Sequence, residues 1–190
     1  MSRIVVTGNP GVGKRTISSL LSKRLGFKLI NLNEFVIENK LVYPDKALGV
    51  YEVHTGKASI LLRKEIRNYD NAIISGHLAP YLLMPTQADL VVVLRRSPEF
   101  LLKTFKERKY TILKIRQNIT SEILGITLYD SIKKFGKQKI IEFDTTKTSS
   151  KEIIKRLIEA LNDDSKRRME NIDWMPTLKH QHDILNLISY

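Results

Sequence analysis

The chain has 190 residues, 42% of them hydrophobic, enough for one domain with a substantial core. Zero cysteines exclude disulfides, thiolate metal sites and a cysteine nucleophile, and no run of about 18 apolar residues is present to span a bilayer. A formal charge of +12 implies anionic partners, since a positive field draws in the phosphates of nucleotides and RNA alike. Apolar residues begin directly after Met1, Ser2 and Arg3 and leave no room for a signal sequence, so a cytoplasmic location with no membrane association is expected.

In chain order, Arg3 to Thr7 (RIVVT) reads as a buried strand. Gly8 to Thr16 form a glycine-rich loop, and Ile17, Leu20, Leu21 and Leu25 mark one face of the following helix, stopped by Gly26. Phe27 to Ile30 is a second strand, Asn31 to Lys40 a helix, and Leu41 to Val53 is irregular, punctuated by Pro44 and Gly49. Helix returns from Lys57 to Tyr69. Ala72 to Ile74 and Leu90 to Leu94 (LVVVL) are further strands, with Ser97 and Pro98 set to open the next helix.

Between Leu101 and Gln117, Lys103, Lys106, Arg108, Lys109, Lys114 and Arg116 face the single acid Glu107. A salt-bridged helix surface would balance such a run with carboxylates, so this segment is expected to meet anions. The helical pattern from Thr111 to Phe135 has a weak point at Gly125, Lys139 to Phe143 (KIIEF) is a fifth strand, and Ile153, Ile154, Leu157, Ile158 and Leu161 define a last core helix. Alternating strands and helices give an α/β fold with a mainly parallel, five-stranded central sheet and helices on both faces. The domain spans 1–162. Residues 163–190 read as a polar linker and a C-terminal extension holding the only tryptophan, Trp174.

The chemistry is concentrated in Gly8-Asn9-Pro10-Gly11-Val12-Gly13-Lys14-Arg15-Thr16. Glycines let successive backbone N–H groups turn toward phosphate oxygens, the helix N-terminus adds partial positive charge, and Lys14 reaches the β and γ phosphates of ATP as a point charge. The general pattern wants Ser or Thr directly after the lysine to help hold Mg²⁺. That position is Arg15, and the hydroxyl follows at Thr16. His77 has two readings, orienting water or a substrate phosphate, or simply closing a strand end. His180 and His182 lack the neighbours a metal site needs.

The form G-x-P-G-x-G-K-x-T resembles the loop of adenylate kinases, and Asn31-Leu32-Asn33-Glu34, Gly76-His77, Val93-Leu94-Arg95, Glu107-Arg108-Lys109-Tyr110 and Asp144-Thr145-Thr146-Lys147 narrow the resemblance to the adenylate kinase isoenzyme 6 family and its archaeal counterparts. The resemblance covers about Ser2 to Leu161. It implies a three-layer P-loop NTPase of nucleoside monophosphate kinase type that transfers the γ-phosphoryl of ATP, with Mg²⁺, to a nucleoside monophosphate, AMP first. It further implies ATP hydrolysis and a part in maturation of the small ribosomal subunit and its 16S rRNA, with a ribosomal protein as partner.

On the same resemblance Gly11, Gly13, Lys14, Arg15, Thr16, Arg108 and Lys147 contact ATP. Thr16 serves the metal, and Lys14, Arg108 and His77 act in catalysis. Asn31, Glu34 and Arg95 meet the acceptor, with 31–54 as the monophosphate-binding region and 107–117 as the lid. Closing a basic lid supplies cations over the developing charge and excludes water, which phosphoryl transfer requires. Two positions depart from the family. Ser75 stands at the end of the third strand where an acid is usual, and Ile37 where human-type members carry an arginine, leaving Lys40 as a substitute cation. A neutral hydroxyl is a poorer partner for a hydrated cation than a carboxylate. The departure leaves a second expectation open, a weakly catalytic assembly factor switched by ATP.

Overall fold

The computed structural model describes residues 2–45, 50–178 and 182–188. The first strand β1 (Ser2–Gly8) runs into the glycine loop and α1 (Lys14–Leu25), which ends at Gly26. There follow β2 (Lys28–Asn31), α2 (Leu32–Glu38), β3 (Val42–Asp45), β4 (Val50–Val53) and α3 (Thr55–Arg67). Next come β5 (Asn71–Ser75), α4 (Ala79–Leu82), β6 (Leu90–Arg95) and α5 (Pro98–Glu107). The chain then forms α6 (Ile112–Ile123), α7 (Ile126–Phe135), β7 (Ile140–Asp144), α8 (Ser150–Asn162), α9 (Met175–Leu178) and α10 (His182–Ile188).

The five-stranded sheet has the order β2-β5-β1-β6-β7, with every pairing parallel. Strand alternation divides the core in two. Ile4, Val6, Leu90, Val92 and Leu94 point to one face and pack with Leu21, Phe105, Ile119 and Leu157. Val5, Val91 and Val93 point to the other and pack with Leu32, Leu62, Leu82 and Phe135. Both faces are therefore apolar, and the strands read as unbroken hydrophobic runs.

Three expectations change. The segment read as irregular from Leu41 to Val53 contains the antiparallel pair β3 and β4, in register Val42 with Val53 and Tyr43 with Glu52. The Tyr43 hydroxyl donates to Glu52 at 2.6 Å, and the Tyr43 and His54 rings sit 4.3 Å apart. Pro44 obscured the strand signal, while an edge position tolerates its missing N–H; Gly49 lies outside the described residues.

The long helical pattern from 111 to 135 is two helices. Gly125 adopts φ 65°, a conformation that an L side chain resists, and the axis is interrupted there. The third change concerns the extension beyond 162, which packs on the domain, with Trp174, Leu178 and Ile184 buried. It covers the β7 edge: the Glu142 N–H donates to the Arg168 backbone carbonyl at 3.2 Å, and the Asp144 N–H to the Glu170 side-chain carboxylate at 2.9 Å. Unpaired donors of an edge strand are thereby satisfied. The Arg156–Glu170 ion pair at 2.7 Å holds the same stretch against α8.

Candidate functional site

The loop from Gly8 to Gly13 lies at the C-terminal end of β1, the usual location of a ligand crevice in an open parallel sheet. A Cβ on Gly8 would stand 2.3 Å from the Leu94 carbonyl oxygen, so only glycine lets the loop leave the strand against β6. Three side chains then hold the loop from outside. Thr145 donates to the Val12 carbonyl at 3.0 Å, Arg96 donates to the Gly11 carbonyl at 3.2 Å, and Glu122 accepts from the Asn9 side-chain amide at 2.8 Å. The first turn of α1 has no side-chain cap and no acidic residue, which leaves its N–H groups and dipole for an anion.

Lys14 folds back over the loop, its ammonium donating to the Gly8 carbonyl at 2.9 Å and the Asn9 carbonyl at 2.8 Å. Burial lowers its pKa to about 8; the carboxylate of Glu122 opposes the shift and the nearby guanidinium of Arg108 adds to it. Arg108 is the exposed C-cap of α5, near enough to act on the charge of Lys14, and Lys109 beside it has φ 53°, so the chain turns sharply there. The His77 imidazole is lowered to about 4, first by burial and then by Lys14, and is neutral at physiological pH. It follows the end of β5.

A cavity of about 130 Å³ opens beside the loop, lined among others by Val12, Gly13, Thr16, Arg96, Thr145 and Ile153. Its walls are apolar, with a few hydroxyls and one guanidinium next to the loop. Thr16, Arg15 and Lys147 are all exposed, and of the three Thr16 lines this cavity. The buried Ser75 lies between Val6 of β1 and Asn31 of β2.

Among the described residues no three His, Cys, Asp or Glu side chains gather to hold a metal ion. His182 therefore joins no such group, and His180 lies outside the described residues. The hydroxyls of Thr16 and Ser75 do not make a protein-held Mg²⁺ site; they fit a cation that arrives on the nucleotide.

Of the residues expected to meet the acceptor, Asn31 and Glu34 stand at the start of α2 and Arg95 lies in the core. Asn31 is the N-cap of α2, accepting from the N–H groups of Asn33 and Glu34, and its amide donates to the Glu34 carboxylate at 2.9 Å. These two residues cap a helix. Arg95, expected to meet a phosphate, is instead only 2% exposed. It donates to Glu122 at 2.7 Å, to Glu142 at 3.1 Å and to the Glu122 carbonyl at 2.6 Å. A buried guanidinium facing two carboxylates is committed to that ion pair. Ile37 is exposed on α2, and Lys40 follows that helix with φ 53°.

Asn9, Arg96, Glu122 and Thr145 carry the loop geometry, and none stood among the expected site residues. Glu122 had a readable signal. It occupies the apolar stripe of Ile115 and Ile119, where a carboxylate needs a partner.

Loop, sheet order and cavity define a P-loop protein of the kinase fold with a nucleotide-binding function. Residues 4–125 match the family described as AAA domain. The protein of Pyrococcus abyssi (strain GE5 / Orsay) named "Putative adenylate kinase" is 35% identical over 171 residues, spanning 90% of each chain. The protein of the same name from Methanocaldococcus jannaschii is 35% identical over 173 residues, with 90% of this chain and 92% of that one covered. The chain belongs to this archaeal family. Shikimate kinase from Acinetobacter baumannii shares the fold, with TM-score 0.60, 15% identity, and coverage of 85% of this chain and 93% of its own. No helix among the described residues is long and apolar enough to cross a membrane.

Proposed function

We propose that the protein is a cytoplasmic nucleoside monophosphate kinase. It moves the γ-phosphoryl group of ATP to a phosphate oxygen of AMP or a related monophosphate, releasing ADP and the nucleoside diphosphate. The observation that carries this reading is the uncapped start of α1 under the Lys14 ammonium, with Arg108 near enough to perturb that lysine. The family's name supports AMP as acceptor. Lys14 leaves the Gly8 and Asn9 carbonyls for the β and γ phosphates, and the Gly11 and Gly13 backbone cradles them.

Arg108 comes down with the lid as negative charge spreads over the transferring group. Mg²⁺ carried by the triphosphate neutralises part of the charge on its oxygens. Neutral His77 orients the acceptor phosphate or a water by hydrogen bonding, and a water in that place gives ATP hydrolysis. Thr16 and Arg15 flank the phosphates at the loop exit, and Lys147 lies beside the cavity. Arg95 acts through Glu122 and touches no substrate.

A second reading, an ATP-switched factor in small-subunit ribosome maturation that binds rRNA or a ribosomal protein, is favoured by Ser75 at the strand end and by the exposed Lys103, Lys106 and Lys109. Steady-state rates with ATP and each monophosphate, beside ATP alone, separate the two. A monophosphate-dependent yield of ADP and diphosphate supports the kinase. Turnover of ATP alone, unaffected by every monophosphate, refutes it.

A further inference from the structure

The carboxylate of Glu122 is fully buried, and it joins four parts of the chain. One oxygen accepts from the Arg95 side chain at 2.7 Å, from the indole N–H of Trp174 at 3.1 Å and from the Arg96 backbone N–H at 3.2 Å. The other accepts from the Asn9 side-chain amide at 2.8 Å. The Asn9 side-chain oxygen in turn accepts from the Ser121 and Thr127 hydroxyls, each at 3.1 Å. Asn9 is a residue of the phosphate loop, and its backbone carbonyl holds Lys14. Hydrogen bonds thus run without a gap from Trp174, through Glu122 and Asn9, to Lys14.

We propose that Glu122 is a positioning residue for the phosphate loop and that the C-terminal segment, through Trp174, belongs to the same device. The inference rests on the reading of the loop as a nucleotide site. Two features of the geometry favour it over simple core packing. The bond to Asn9 engages the loop by a side chain and leaves the loop's own N–H groups free for phosphate. In addition, α6 begins within the segment read as the lid and carries Glu122 in its last turn, so one helix joins the closing segment to the loop it closes over. When a triphosphate draws Lys14 away from the Asn9 carbonyl, the Glu122 bond is what keeps Asn9 in place. Trp174 and Arg95 in turn keep the carboxylate aimed, because a buried carboxylate oxygen that loses a donor seeks another.

The test measures affinity for a non-hydrolysable ATP analogue by calorimetry, using the full chain and the variants Trp174→Phe, Asn9→Ala and the double substitution. Phenylalanine keeps an aromatic ring and removes the donor together with the five-membered part of the indole, a packing change that the Asn9→Ala background carries equally. Trp174→Phe should weaken analogue binding about fivefold. In the Asn9→Ala background, where the route to the loop is cut, the same change should have almost no further effect. A general loosening of the fold would weaken both backgrounds alike, and that outcome overturns the inference. So does a Trp174→Phe chain that binds as tightly as the parent.

Failure of the parent to bind the analogue overturns the nucleotide reading itself and this inference with it. Should a variant not fold, the parent alone decides. Trp174 is the sole tryptophan, and its single indole N–H resonance should shift as the analogue is titrated, with the affinity found by calorimetry. An indole resonance unmoved at saturation overturns the inference.

Discussion

Raising the pH should weaken nucleotide binding long before it damages the fold, and the reason is the state of Lys14. In the ligand-free chain its pKa is lowered from 10.5 to about 8, chiefly by burial. A triphosphate laid over the ammonium raises the pKa again, because an adjacent opposite charge favours the protonated form. Between these values the free chain has a neutral Lys14 and the bound chain a charged one, so binding must take up a proton. Each pH unit above about 8 then costs about 1.4 kcal/mol, or about a tenfold loss of affinity.

The analogue should bind about tenfold more weakly at pH 9 than at pH 7, and Lys14→Met should bind weakly at every pH with no such slope. Stability without nucleotide has the opposite sign. The unfolded chain holds the Lys14 proton up to about 10.5 and the folded chain only to about 8, so this group adds stability as pH rises through that window. Calorimetry in buffers of different ionisation enthalpy measures both affinity and proton uptake. Constant affinity from pH 7 to 9.5 with no uptake would refute the argument.

His77 gives the acid counterpart: its pKa is about 4 folded against 6.5 unfolded, so stability should fall as pH drops from about 6.5 toward 4, by up to roughly 3 kcal/mol, and His77→Gln should flatten the curve in urea titrations. Ser75→Asp restores a carboxylate at the end of β5 and should speed phosphoryl transfer about tenfold, since a water-mediated carboxylate contact to the nucleotide's cation contributes on the order of 1 to 2 kcal/mol; a folded variant slower than the parent would show that the acceptor side is organised otherwise. Gly8→Ala drives a methyl toward the Leu94 carbonyl at 2.3 Å and should lower the thermal midpoint and abolish analogue binding together, whereas an unchanged midpoint would contradict the close approach of β1 and β6.

Much of this protein is written in local patterns. The apolar runs at Arg3 to Thr7 and Leu90 to Leu94, the glycines around Lys14 and the helical spacing after Thr16 each follow from steric and burial rules that act within a few residues. They sufficed for a parallel sheet and a phosphate loop. Positive φ at Gly8, Gly11 and Gly13 belongs to the same class of local requirement. The pair β3 and β4 escaped because strand pairing is not local, and Pro44 removed the one local cue.

Arg95 shows the limit most clearly. Its residue type suits a phosphate, but only tertiary packing shows that it faces Glu122 and Glu142, whereas the cap formed by Asn31 and Glu34 is a contact within three residues. The extension beyond 162 is a similar case. It read as a polar linker and an extension without an assigned place, yet the β7 edge needed covering, and Trp174 lies 52 residues from the carboxylate that accepts its N–H. A charge inside an apolar stripe announces that a partner must exist, but which donor arrives there depends on how distant segments close around one sheet.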